Sequence, residues 1–575
     1  MSELHFSPRP NRAHEIHWQP WDAGTFARAK AEDKPILLAI SAVWCHWCHV
    51  MDETSYSDES VIAKINDAYV PVRVDNDLRP DINARYNQGG WPTTAFLTPG
   101  GSLLAGATYL PPAQMSAALD EIGTFYRTNR AQIEERSLQL RSQKAAAQAA
   151  PAHELPEEAH AQIVAAIEAQ FDQEYGGFGS EPKFPMTDVL ELLLLEYRAT
   201  RSQRPYEMLA RTLLAMSGGG MYDHLEGGFF RYSTTRDWSV PHFEKMTEDH
   251  GPLLRILASL VRETRNTRFR ETLLSAAGYV RDVLRDQATH LFAGSQDADE
   301  TYYALPLEER RKIAAPYIDR RSYSNWSAAM GAAFVAAGSV LEDDHFVNMG
   351  LSALDALHAL RDANGLLYHV LEPAQAPRIR GLLTDQAAYL RALLDAHELT
   401  GEPRLFDRAV DLAGAIERHF AAPGGGFFDH AAIEQTLGAL DVRDRPLPDN
   451  ASLADSFLRL SAMGRDEHFA ATARAALQVH SQTSARMGLF AAPYARVLRR
   501  AQSPCATLTL TGSAEQMADL REAALRLPDP LLTIRTREPQ DGEAGGAGYL
   551  CLDAACAAPA RDARELRDAY ESLRR

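Results

Sequence analysis

From residue 155 to about residue 500 the chain repeats one arrangement, and that repeat limits the fold more than any other feature. Amphipathic segments with apolar residues three and four apart, such as Asp188–Thr200, Pro205–Met216, Asp249–Arg265 and Gln386–Leu399, alternate with loops built on glycine and an apolar or aromatic partner. Six loops have this character: 175–179 (YGGFG), 226–230 (EGGFF), 291–294 (LFAG), 364–368 (NGLLY), 424–428 (GGGFF) and 487–490 (MGLF). Intervals of about 50 to 75 residues leave room for two helices each, whereas helical solenoid repeats run shorter, at about 34 to 47. Six such hairpins predict a closed (α/α)6 toroid with the loops lining one end.

The first 130 residues follow a different pattern. A helix-like stretch, Trp18 to Asp33, precedes a buried-strand run, Pro35 to Ile40, which leads into Trp44-Cys45-His46-Trp47-Cys48-His49. A helix capped at Ser57–Glu59 follows, then a β-rich run, Tyr69 to Val74, and a hairpin made of Ala95–Thr98, a Gly-Gly turn and Ser102–Ala105, with Pro92 at its entrance. Thiols at a strand-to-helix junction lie near the free N–H groups of the helix, whose partial positive charge favours thiolate. Several chemistries fit the cysteine pair: redox exchange, zinc held by Cys45, Cys48 and His49, haem attachment at C-x-x-C-H, and a static cross-link. In the redox case, a protonated His46 between the thiols favours the reduced state.

Trp-Cys-x-x-Cys opening a helix, with a later x-Pro before an antiparallel strand, resembles the thioredoxin fold. The motifs CHWCHVM, VRVDNDLRPDI, GGWPTTAFLTPGG and TYLPP are similar to those of the spermatogenesis-associated thioredoxin-like family and its bacterial relatives. That resemblance implies an attacking Cys45, a resolving Cys48, a cis Trp91–Pro92 bond and, next in the chain, a toroid of the six-hairpin glycosidase and N-acylglucosamine 2-epimerase type. GGFGSEPKFP and GGGMYDHLEGGFFRYSTTRDWSVPHFEKM carry the second part. Here the chain is shorter than the family pattern at 82–88 and at 299–325, and Asn325-Trp326 reverses the order expected from the family.

If the toroid loops line a funnel, the candidates there are Asp223, His224, Arg231, Tyr232, Trp238, His242 and Glu244, with Asp249-His250 just beyond. From other hairpins come Asp297, Asp299, Tyr323, His369, Asp385, Asp429-His430 and Asp449-Asn450. Aromatic faces suit sugar rings, and acids with histidines can move protons. Glycoside hydrolysis needs two carboxyls about one bond, for which Asp223 or Glu244 with Asp297 is a candidate pair. Epimerisation beside a carbonyl needs a base and an acid on opposite faces, for which His242 with His369 or His430 is one. The alternative is that these polar groups cap helices and satisfy buried backbone, as in a non-catalytic carbohydrate- or protein-binding module.

The expected organisation is a multidomain chain: an α/β thioredoxin-like domain (1–130), a polar helical linker (131–154), an all-α (α/α)6 toroid (155–500) and a small α/β segment (501–575) that carries Cys551 and Cys556. With 59 basic against 77 acidic residues the formal net charge is -18, which argues against nucleic acid as a partner. No run has the length of a membrane span and the N-terminal residues have no apolar core, so a cytoplasmic protein is expected, without cofactor, acting on a thiol or disulfide protein partner or on a small carbohydrate.

Overall fold

A computed structural model describes residues 4–148, 153–432, 436–541, 543 and 545–574. Two compact units divide the chain: Met1–Ala150 with Ile433–Asp444, and Pro151–Ala432 with Arg445–Arg575.

The first unit is a helix-covered sheet in the order β2-β1-β3-β4, made of β1 (Ile36–Ser41), β2 (Val70–Asp75), β3 (Thr93–Leu97) and β4 (Leu103–Ala107). β1 runs parallel to β2 and antiparallel to β3, which pairs antiparallel with β4. β1 is an unbroken apolar run because both of its faces are covered. Leu37 and Ala39 pack with Ile62 and Ile65 of α3 (Glu59–Ala68) and with Met115 and Leu119 of α5 (Pro112–Thr128). Ile36, Leu38 and Ile40 face the other way, onto Phe26 of α1 (Ala23–Glu32) and Ile82 of α4 (Pro80–Tyr86). Between them, α2 (His46–Glu53) starts at the dithiol. The stretch read as a connector forms α6 (Arg130–Gln148). The unit also takes in part of the segment that the sequence gives to the repeats: Leu440 is buried in the second of these clusters, and Ala439 N–H donates to Tyr86 Oη at 2.7 Å.

In the second unit the helices alternate between an inner and an outer ring. The inner helices are α8 (Thr187–Thr200), α10 (Thr247–Thr264), α14 (Ser324–Leu341), α16 (Leu383–Thr400), α18 (Leu447–Gly464) and α20 (Ala492–Gln502); each contacts the next, and α20 returns to α8. The outer ones are α7 (Ala159–Ala169), α9 (Gln203–Gly218), α11 (Thr267–Tyr279), α15 (Asp344–Ala359), α17 (Pro403–Phe420) and α19 (Glu467–Gln478). This is the (α/α)6 toroid. Two-helix turns at the narrow end are tight: α8, α10, α14, α16 and α18 each finish on a left-handed residue, Arg201, Arg265, Glu342, Gly401 and Arg465.

The long connections all enter the N-terminal ends of inner helices, so the glycine-aromatic loops gather at one end. They add short strands β5 (Tyr232–Ser233), β6 (Pro241–His242), β7 (Lys245–Met246), β8 (Ser295–Gln296), β9 (Ile318–Asp319), β10 (Ser322–Tyr323), β11 (Tyr368–Leu371) and β12 (Arg378–Arg380), with the short helices α12 (Glu300–Tyr303) and α13 (Leu307–Arg310).

The C-terminal segment packs against α16 and α18. It runs β13 (Ala506–Thr511), α21 (Ala518–Leu525), β14 (Thr533–Arg537), β15 (Ala547–Leu552), β16 (Ala555–Cys556) and α22 (Ala563–Arg574). Its sheet order is β14-β13-β15-β16, parallel in the first pair and antiparallel in the other two. That is the topology of the first unit's sheet, on a chain with no cysteine at the junction from β13 to α21.

Candidate functional sites

In the first unit, Cys45 is the N-cap of α2: it keeps an extended backbone and its Sγ accepts the Cys48 N–H at 3.1 Å. The two cysteines form a disulfide. Both are nearly buried, at 4 % and 2 % exposure, while Trp47 between them is 48 % exposed. The Trp91–Pro92 bond is cis. Pairing of Ile40 with Thr93 places Pro92 beside the end of β1, and Trp91 stacks edge-on against Trp44 at 5.6 Å. Trp44 in turn donates to buried Asp77 at 2.7 Å, an anchor not read from the sequence.

The histidines differ. His49 is pushed down to about 4 by burial and by His5, so it is uncharged at neutral pH, and its Nε2 has no hydrogen-bond partner. His46 follows Cys45 directly at the start of α2 and contacts Trp47 edge-on. One turn after Cys48, Asp52 is pinned by Arg73 at 2.7 and 2.9 Å. As the disulfide, Cys45 and Cys48 offer no thiolates to the zinc set that the sequence leaves open with His49. Among the described residues no group of three or more His, Cys, Asp or Glu is placed to hold a metal.

In the toroid, several funnel candidates serve the loops. Asp223 is buried and ion-paired to Lys245 at 2.8 Å and Arg310 at 2.9 Å; burial alone raises its carboxyl, but these cations hold it below the usual range. Its Oδ1 also accepts the Leu225 and Glu226 N–H groups, so as an ionised strut it cannot act as an acid. The same device holds the first loop, where Asp172 accepts from buried Lys183. Trp238 is fully buried over Lys183. His224 is exposed beside the Gly219 carbonyl, and Asp299 is the N-cap of α12. His250 is structural too: Nε2 accepts Phe229 N–H at 2.9 Å and Nδ1 donates to Met246 O.

The remaining candidates form two groups. In the first, His242 Nδ1 lies 2.5 Å from Glu244 Oε2 and its ring stacks on Tyr232 at 4.9 Å. Pairing of β7 with β8 brings Glu244 and Asp297 to neighbouring positions, and burial, aided by Glu244, pushes the Asp297 carboxyl up to about 7. Asp249 is likewise pushed up to about 7 by burial, against the pull of Arg231. In the second group, His369 Nδ1 and Asp385 Oδ1 are 2.9 Å apart. His430 Nδ1 lies 3.0 Å from Asp429 Oδ1 without the alignment of a hydrogen bond. Burial, with Asp385 and Asp429 close by, raises Asp449 to about 7.

Asp249, Asn325, Asp385 and Asp449 occupy the second or third position of α10, α14, α16 and α18. Three of them leave a buried oxygen without a hydrogen bond: Asp249 Oδ2, Asn325 Oδ1 and Asp385 Oδ2. Unpaired buried acceptors are rare and costly. Their recurrence in the first turn of successive inner helices is the signal in the sequence that could have singled them out.

Residues 9–144 match the family described as Thioredox_DsbH, protein of unknown function, DUF255. Along 96% of its length the chain is similar to spermatogenesis-associated protein 20 of Homo sapiens, at 23% identity over 706 residues, covering 89% of that protein. An uncharacterized protein of Caenorhabditis elegans is 34% identical over 257 residues; the match spans 42% of this chain and about a third, 35%, of the nematode protein. The resemblance expected from the motifs therefore holds. Among solved structures, cellobiose 2-epimerase from Bacillus thermoamylovorans aligns with a TM-score of 0.45 at 14% identity, over 54% of this chain and 82% of that one. The GH76 α-mannanase BT2949 of Bacteroides thetaiotaomicron aligns with a TM-score of 0.43 at 12% identity, over 59% and 96%.

Proposed function

We propose that the chain is a thiol–disulfide oxidoreductase acting through Cys45 and Cys48 on a disulfide-bearing protein. The observation that supports this reading is the position of Cys45 as the N-cap of α2, with its Sγ already accepting the Cys48 N–H. Once a reducing dithiol has opened the disulfide by exchange, that N–H and the positive end of the helix stabilise a Cys45 thiolate. The thiolate attacks a partner disulfide, one partner sulfur leaves as thiolate, and Cys48 then attacks Cys45 Sγ, releasing the second partner sulfur and closing the pair again. The exposed indole of Trp47 offers an apolar contact beside a nearly buried pair. Reduction of insulin disulfides by the full chain should be lost in Cys45→Ser, and Cys48→Ser should accumulate the mixed disulfide. Equal rates in wild type and Cys45→Ser would refute the assignment.

A second reading is favoured by the three unpaired oxygens of Asp249, Asn325 and Asp385: sugar-type acid–base chemistry in the toroid funnel. Hydroxyl groups are the donors such oxygens lack, and Asp249 and Asp297 can carry a proton near neutral pH beside Glu244. The test is conversion of mono- and disaccharides by wild type, Asp297→Asn and His242→Ala. Turnover lost in both variants supports it; no turnover of any sugar, or none lost, sinks it.

A further inference from the structure

We propose that Cys551–Cys556 is a second thiol–disulfide exchange site, which takes a small peptide thiol in the cavity beside it, with Cys556 as the attacked sulfur and Cys551 as the leaving thiolate. Neither the first dithiol nor the funnel carries this inference.

The two cysteines stand directly opposite each other on β15 and β16, joined as a disulfide across a hairpin turn at Asp553-Ala554. A cross-link that closes so short a loop removes little freedom from the unfolded chain, so stapling is the weakest service it can render. The two sulfurs are unlike in their surroundings. Cys556 is exposed, whereas Cys551 is 7 % exposed and its Sγ receives the Arg465 Nη2 donor at 3.9 Å. An incoming thiolate therefore reaches Cys556 first, and the electron pair of the broken bond comes to rest on the sulfur that has a guanidinium beside it. A leaving thiol with a stabilised anion departs faster.

Both cysteines border a cavity of about 530 Å³, within the range of small-ligand sites, about 300 to 1,000 Å³. Arg465, Thr507 and Thr509 line it and supply a cation and two hydroxyls for the carboxylate and amide groups of a peptide thiol. Cys505 lines the same cavity. Its thiol is pushed up by burial and donates to the Arg500 and Ser503 carbonyls, so it stays protonated and does not pre-empt the external thiol.

The exchange balances in two steps. The thiolate RS⁻ attacks Cys556 Sγ, forming RS–S–Cys556, breaking the Cys551–Cys556 bond and releasing Cys551 as thiolate. A second RS⁻ attacks the R sulfur, giving RSSR and Cys556 thiolate. The two protons given up by the two RSH molecules end on Cys551 and Cys556.

The probe is reduced glutathione added to the folded full-length chain, with alkylation and peptide-level mass spectrometry reading this pair separately from Cys45–Cys48. The expected result is a glutathione adduct on Cys556 alone, followed by loss of the disulfide. In Arg465→Gln the rate should fall roughly ten-fold, and Arg465→Lys should restore it. The adduct position is read in wild type and needs no variant to fold. An adduct on Cys551, a disulfide that opens only in denaturant, an unchanged rate in Arg465→Gln, or reduction by the protein dithiol thioredoxin but not by glutathione would each overturn the proposal.

Discussion

Asp297 shows how burial sets the chemistry of a single side chain. Its carboxyl sits at about 7 in the fold against 3.8 in the open chain, with burial the main cause. Between those values the folded state holds a proton that the unfolded state has lost. The group's contribution is therefore fully present below pH 4, declines as pH rises towards 7 and is level above that. Asp297→Asn removes the charge and keeps the shape. Urea midpoints from pH 4 to 8 should show the variant gaining on wild type as pH rises and levelling off near 7, by about 2–4 kcal/mol. Parallel curves would mean that the carboxyl is not held protonated.

Single helices of the inner ring do a second job besides forming the wall. Their first turns hold the incoming loops through one side chain apiece: His250 accepts Phe229 N–H, Gln386 accepts Leu367 N–H and Asn450 accepts Phe427 N–H. Asn450 also donates back to Phe427 O at 3.0 Å and to Pro446 O at 2.9 Å, all in the interior. The loop can thus bring its glycines and phenylalanine inward without orphaned backbone groups. Asn450→Ala leaves these groups unpaired and should cost about 2–3 kcal/mol in urea unfolding. Hydrogen exchange should speed up at the Phe427 amide and be unaffected in the first unit.

On the scale of the whole second unit, the ring closes around charge as well as around apolar side chains. Glu191 on α8 takes Arg255 from α10, Arg391 from α16 and Arg496 from α20. A space of about 250 Å³ there is also lined by Asp395, Asp455 and Arg459, and by Leu531, Leu532 and Ile534 of the C-terminal segment. Arg255 is pushed down to about 9 by burial and by Arg391, and Asp395 opposes that shift. Glu191→Gln should therefore destabilise the toroid by about 3–5 kcal/mol, because it strands buried cations. Thermal unfolding of wild type and variant checks this, and a shift within error would show the network to be dispensable.

Much of this architecture is legible in the sequence. The alternation of 3.6-residue periodicity with glycine-aromatic turns announced six hairpins, and PILLAI, the C-x-x-C and the hairpin after Pro92 announced a thioredoxin-like sheet. Such signals are local: they lie in neighbouring residues' dihedral preferences and in which face of one element is apolar. Which funnel residues matter was not legible, because Asp223 and Asp297 look alike in sequence and differ only in what surrounds them: one held by Lys245 and Arg310, the other buried beside Glu244. Nor could the sequence place Leu440 in the core of the first unit, or reveal that the tail repeats the strand order of the first sheet. Each of these depends on residues brought together from distant parts of the chain, where desolvation and long-range pairing act, and only the tertiary structure decides them.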